Sequence, residues 1–167
     1  MDLYLVRHAI AVERGTEGFN RDSDRPLTEK GIKKMKGVAK AMKNMGVSFD
    51  LLLSSPFRRA KETAEIIGDE FECRKSIKFS PHLAVGGSPR ELIDEINHDY
   101  PDVGDIMLVG HEPYLSTLIS MLVSGHDGIP VRMKKGGACK LSIETLGFRR
   151  CAELEWLMGP AQFLKEE

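Results

Sequence analysis

A guanidinium directly followed by an imidazole stands at Arg7 and His8, where the apolar run Leu3-Tyr4-Leu5-Val6 ends. The same side-chain types recur after two other apolar runs. Leu51-Leu52-Leu53 leads into Ser54-Ser55-Pro56-Phe57-Arg58-Arg59, and Ile106-Met107-Leu108-Val109 leads into Gly110-His111-Glu112-Pro113. Arginine presents a rigid fork of donors that suits phosphate better than it suits a core. A neutral imidazole nitrogen can attack phosphorus and hold the group as a phosphoramidate, which divides one hard displacement into two easier ones. The combination points to phosphoryl transfer. Arg7 and Arg58 would bind the equatorial oxygens, whose charge must be held in the transition state. One imidazole must be neutral to attack, and the other serves better as a donor to the phosphoryl oxygens.

These groups converge only if their strands lie side by side with the same polarity, and the chain alternates accordingly. Short β-prone runs at residues 2–6, 50–54, 77–79 and 106–109 are separated by helical patterns at residues 28–46, 56–68, 88–97 and 112–125. Thr28 suits a helix N-cap, with Ile32, Met35, Ala39 and Met42 forming one apolar face. Residues 140–146 and 151–158 suggest a final antiparallel pair. The pattern predicts a three-layer α/β/α sandwich, a mostly parallel central sheet with an antiparallel C-terminal strand, in one domain spanning residues 1–167. In such a sheet the carboxyl ends of the strands share one edge, and ligands bind there. Helix N-termini at that edge add oriented N–H groups. Residues 14–27 are polar and rich in turn formers, so they read as a loop near the pocket.

Several other readings are narrowed by what the chain carries. Its 24 basic and 25 acidic residues nearly cancel, which favours neither nucleic acid nor a membrane surface as partner. No apolar run has the length of a signal peptide or a membrane span, and the three cysteines lack metal-site spacing, so a cytoplasmic setting is expected. No Cys is followed six residues later by Arg, which excludes a cysteine-nucleophile phosphatase, and no GxxxxGK[ST] is present. His126-Asp127 lacks the partners of a metal phosphohydrolase, and Asp22-Ser23-Asp24 does not follow a strand as an aspartyl-phosphate motif should. Arg59 and Lys61 read as solvated helix residues, and the Lys33, Lys36, Lys40 and Lys43 stripe as a wet helix face. Ser54 and Ser55 are placed to contact phosphate, although capping the helix before Pro56 explains one of them equally well. No chemistry is assigned to His82, His98 or His126.

Four segments in order carry a resemblance to a known family. They are Leu5-Val6-Arg7-His8-Ala9, then residues 25–31 (Arg25-Pro26-Leu27-Thr28-Glu29-Lys30-Gly31), then residues 54–64 (SSPFRRAKETA), then residues 109–115 (VGHEPYL). Together they resemble the histidine phosphatase (phosphoglycerate mutase-like) superfamily, and within it the small SixA-type phosphohistidine phosphatases. The resemblance implies His8 as nucleophile, Arg7 and Arg58 as phosphate ligands and His111 as the second histidine of the phosphate pocket; by position, Ser54 is a candidate substrate-binding residue beside them. It implies no metal and no organic cofactor.

The chain departs from the superfamily pattern in two places. Ala9 stands where Gly is common, as SixA-type chains tolerate. Residues 81–87 (PHLAVGG) lack the catalytic Glu that many relatives place there, with no carboxylate before Glu91. An alkoxide leaves badly without a positioned proton donor, whereas a protonated imidazole leaves readily. The expected substrate is therefore a phosphohistidine-bearing protein, with Asp22 or Asp24 on the 14–27 loop as candidate proton donors. Two other readings remain open: a phosphatase of small phosphate esters, and a non-catalytic module that binds phosphoprotein.

Overall fold

The computed structural model describes residues 1–165. Among these, six strands form one sheet: β1 (Asp2–Arg7), β2 (Leu51–Ser54), β3 (Lys78–Phe79), β4 (Ile106–Gly110), β5 (Ala138–Ile143) and β6 (Ala152–Met158), in the order β3-β2-β4-β1-β5-β6. The first four run parallel, while β5 lies antiparallel to both β1 and β6. The mostly parallel sheet with an antiparallel C-terminal strand is the architecture expected from the sequence.

Alternate residues of the parallel strands enter two separate cores, as they must when both sheet faces are covered. Leu3, Leu5, Leu51, Leu53, Ile106 and Leu108 pack against α3 (Pro89–Asp99) and α4 (Tyr114–Ser124). Tyr4, Val6, Leu52, Met107 and Val109 pack against α1 (Glu29–Asn44), α2 (Arg58–Glu70) and the short α5 (Pro160–Phe163). Leu5, Leu53 and Leu108 are essentially inaccessible, and each contributes roughly 2 kcal/mol by burial. No helix is long and apolar enough to cross a membrane among the described residues.

Register places the chemistry at one edge. Val6 and Arg7 pair with Val109 and Gly110, and Ser54 pairs with Val109, so the three motif-bearing strands finish level. The chain beyond His8 is then held against the start of α1. Thr28 caps that helix through its side chain, accepting from the Gly31 N–H at 3.0 Å, and its own N–H donates to the Ile10 carbonyl at 2.9 Å. Gly31 is required there, because a Cβ would overlap the Ile10 carbonyl oxygen.

Helix starts differ from the sequence reading by one or two residues. The second helix begins at Arg58, not Pro56, because the Ser55 hydroxyl accepts the Phe57 N–H (3.2 Å) and closes a turn first. The fourth begins at Tyr114 rather than Glu112, β5 runs from Ala138 to Ile143, and α5 had no counterpart in the predicted elements.

Candidate active site

His8 lies at the mouth of β1 and is buried. Its backbone N–H donates to the Gly110 carbonyl of β4 at 3.0 Å, which ties the two histidine-bearing strand ends together. The ring's Nδ1 is 2.7 Å from the Ala9 carbonyl oxygen. A carbonyl only accepts, so Nδ1 carries the proton and Nε2 presents its lone pair. Arg59 confirms the tautomer from the other side, its Nε–H donating to His8 Nε2 at 3.3 Å. One ring nitrogen is thus tied down as a donor and the other is oriented as a base.

Arg58 and Arg59 exchange the places that the sequence reading allotted them. Arg58 points outward, about half exposed, and pairs with Glu62 one turn on at 2.8 Å. Arg59 is the buried one, at 2% exposure. It reaches His8, and its two terminal nitrogens hold the Asp22 carbonyl (2.8 Å) and carboxylate (3.0 Å). The reason is helical phase. Arg59 stands four residues before Thr63 and eight before Ile67, on the buried stripe of α2, whereas Arg58 stands four before Glu62 on the wet one. Thr63 reinforces the arrangement by donating to the Arg59 carbonyl (2.7 Å) while accepting the Ala9 N–H (3.0 Å).

His111, at the end of β4, is likewise buried, and its ring centroid lies 5.3 Å from that of His8. Its Nε2 is 2.8 Å from the Ser55 hydroxyl, which already accepts the Phe57 N–H. When the hydroxyl donates to Nε2, Nδ1 keeps the proton, and that tautomer leaves His111 an N–H to offer. That Nδ1 is buried with no protein partner among the described residues. The pocket serine is Ser55, not Ser54. Ser54 is the last residue of β2, and its hydroxyl donates to the Ser55 carbonyl at 2.9 Å. Arg7 enters from β1, with one terminal nitrogen on the Met133 carbonyl (2.9 Å) and its Nε buried without a partner among the described residues.

The two loop aspartates separate clearly. Asp22 sits in a short 3-10 turn and receives Arg25 at 2.7 and 2.9 Å as well as Arg59. Burial would raise its carboxyl, but the hydrogen bonds from Arg25 and Arg59 outweigh that and hold it below the usual range. It stays ionised near neutrality and is no proton donor. The Asp24 carboxylate accepts only a long contact from Ser23, 3.5 Å, and has no hydrogen bond or ion pair to a pocket residue among the described residues. Arg25 belongs to the site as an unforeseen member, since it also fastens the loop to Val12 through a 2.6 Å bond.

Cations and burial together set the histidines. Desolvation first, then the positive charges of Arg59 and Arg7, push His8 down to about 3, although the Ala9 hydrogen bond opposes the shift. Desolvation, His8 and Arg59 likewise push His111 down to about 3. Both rings are neutral at cellular pH. The folded values lie below the unfolded value of about 6.5, so the unfolded chain binds protons that the folded chain refuses. Stability is therefore unaffected above about pH 6.5 and falls as pH drops from there toward 3, by roughly 1 kcal/mol per pH unit for each histidine. Denaturant unfolding of His8→Gln should show a shallower acid slope than the parent between pH 6 and 4. Equal slopes would refute the burial of a neutral His8.

The model of the histidine phosphatase superfamily (branch 1) matches residues 3–84. An uncharacterized protein of Picosynechococcus sp. is 34% identical over 145 residues, 82% of each chain. The phosphohistidine phosphatase SixA of Escherichia coli is 27% identical over 163 residues, covering 96% of this chain and 94% of SixA. A solved structure of the protein histidine phosphatase SixA complexed with tungstate superposes with a TM-score of 0.82 at 24% identity, over 97% of this chain and 99% of the other.

Proposed function

The chain belongs to the histidine phosphatase superfamily, and from that premise we propose that it removes phosphate from protein phosphohistidine by way of a phosphoryl group carried on His8. As a superfamily member it is a phosphatase; the substrate and the residue roles are our reading. The observation that carries the roles is the His8 ring, with Nδ1–H on the Ala9 carbonyl and the Nε2 lone pair facing Arg59. The Nε2 lone pair forms the bond to phosphorus as the bond to the leaving nitrogen breaks. Water then displaces the phosphoryl group from His8 and regenerates the neutral ring. Arg7 and Arg59 neutralise the equatorial oxygens, and His111 Nδ1–H donates to one of them. Arg59 leaves His8 Nε2 for the phosphoryl oxygens when substrate enters, while Asp22 keeps its fork oriented.

The leaving-group side argues for a P–N bond. Asp22 is held ionised by Arg25 and Arg59, and residues 81–87 bring no carboxylate to the pocket. A departing alkoxide would lack a proton donor there, whereas an imidazole protonated on its far nitrogen departs as a neutral ring. The wall at residues 84–87 is a tight turn, with Gly86 at φ +82° and the Gly87 N–H on the Ala84 carbonyl at 2.9 Å. Such a short wall leaves room for a side chain presented by another protein. The SixA neighbour holds tungstate, a tetrahedral oxyanion of phosphate's shape.

Turnover of a phosphohistidine-bearing phosphotransfer domain, compared with a panel of sugar and nucleotide phosphates, tests the reading. The expected kcat/KM is at least about a hundredfold higher for the phosphohistidine protein, the difference a missing general acid makes to an ester. Equal or better turnover of an ester would replace this substrate with a small molecule. Tight binding of the phosphoprotein without release of phosphate would make the chain a binding module.

A further inference from the structure

Beside His111 opens a cavity of about 260 Å3 whose walls include Val85, Pro89, Glu112, Tyr114 and Thr117. It adjoins the phosphate pocket, and its chemistry differs from that of the pocket. The walls are largely apolar, with Val85 exposed at the rim. Two buried polar atoms, His111 Nδ1 and the Tyr114 hydroxyl, have no partner among the described residues, and Tyr114 itself is only 9% exposed. Glu112 supplies the one carboxylate of the lining. Its Oε1 accepts the Ser116 N–H at 3.0 Å in the first turn of α4. The positive end of an eleven-residue helix stabilises a negative charge at that position. The other charged and titratable groups around it are Arg7 from β1, whose positive charge Glu112 supports, His111 from β4, and Glu95 from α3, which acts on Tyr114.

We infer that this cavity is the leaving-group subsite and that Glu112 selects a protonated imidazole within it, the geometry being a carboxylate beside His111 at the wall of an apolar cavity. The inference rests on the proposed role of His8. A phosphohistidine ring protonated on the nitrogen remote from phosphorus is a cation. That N–H donates to Glu112, and the ring's flat faces meet Val85, Pro89 and Tyr114. The carboxylate holds the ring in its protonated form. When His8 Nε2 bonds to phosphorus, the electrons of the breaking P–N bond return to the departing ring nitrogen. The ring leaves neutral, still carrying its remote proton, and no acid has to act on the reacting atom. Glu112 does the opposite for an ester, since a carboxylate repels an alkoxide.

The test compares kcat/KM on a phosphohistidine-bearing phosphotransfer domain with kcat/KM on p-nitrophenyl phosphate, an ester whose phenolate departs without a proton. In Glu112→Gln the carboxamide oxygen can still cap Ser116, so the helix start survives, but the charge is gone. The ratio of phosphohistidine to aryl ester turnover should fall about tenfold, as expected for one lost charge-assisted hydrogen bond. Glu112→Asp, which retains the charge, should keep the ratio within about threefold of the parent. An unchanged ratio in Glu112→Gln, or an equal loss on both substrates, overturns the inference and leaves the proposed function standing. A larger loss on the aryl ester also overturns it, because a carboxylate that serves the protonated imidazole gives that ester no help. A parent protein that releases no phosphate from phosphohistidine overturns the proposed function itself, and the subsite with it.

Discussion

Replacing His8 with Ala should lower turnover by about four orders of magnitude or more, the scale on which a covalent nucleophile matters. It should also abolish acid-labile labelling of the chain by a phosphate donor. The expectation rests on a division of labour between two neighbouring rings. His8 has its Nδ1 anchored on the Ala9 carbonyl and its Nε2 lone pair oriented by Arg59. His111 has its Nε2 engaged with Ser55 and its Nδ1 buried without a protein partner among the described residues. With its Nε2 held by Ser55, His111 is expected not to take over the attack, even though its centroid is 5.3 Å away. Quench-flow with labelled substrate, read by acid-labile counts on the protein, checks both parts. Label retained in His8→Ala would place the phosphoryl group on another side chain and refute the mechanism.

The parts of this site that were legible in the sequence share a physical property: they belong to strand ends. Leu5-Val6-Arg7-His8 and Val109-Gly110-His111 stop at the same sheet edge because β1 and β4 pair in parallel with Arg7 opposite Gly110. The helix at residues 28–46 was equally readable, since Thr28 and the 3–4 spacing of Met35, Ala39 and Met42 mark its cap and its buried face. Helical phase was harder. Reading Pro56 as the first helical residue hid that Arg59, not Arg58, continues the stripe of Thr63 and Ile67. That stripe was itself a usable signal, because i, i+4 and i+8 lie on one face. Side chains held by long-range partners left no local mark at all. Nothing near Asp22 announces that Arg25 and Arg59 would hold it, and Ser55 outranks Ser54 only because His111 arrives from 56 residues away.

Exchanging the two arginines one at a time should separate them by orders of magnitude. Arg59→Met is expected to lower kcat/KM by roughly a thousandfold, the upper range for losing a donor that meets charge developing in the transition state. Arg58→Ala should stay within about twofold of the parent, because its pair with Glu62 is half exposed and exposed pairs contribute little. The large effect does not reduce to unfolding. Without Arg59, Asp22 still keeps both hydrogen bonds from Arg25, so the loop retains an anchor and no carboxylate is stranded. A thermal melt close to that of the parent would verify this. Arg59→Lys offers the finer discrimination. It retains the positive charge but cannot serve Asp22 and a phosphoryl oxygen at once with a fixed fork, so activity should recover only in part. Should Arg58→Ala instead prove the crippling change, the phosphate would have to bind on the outer face of α2. The buried contacts of Arg59 with His8 and Asp22 would then be scaffolding alone.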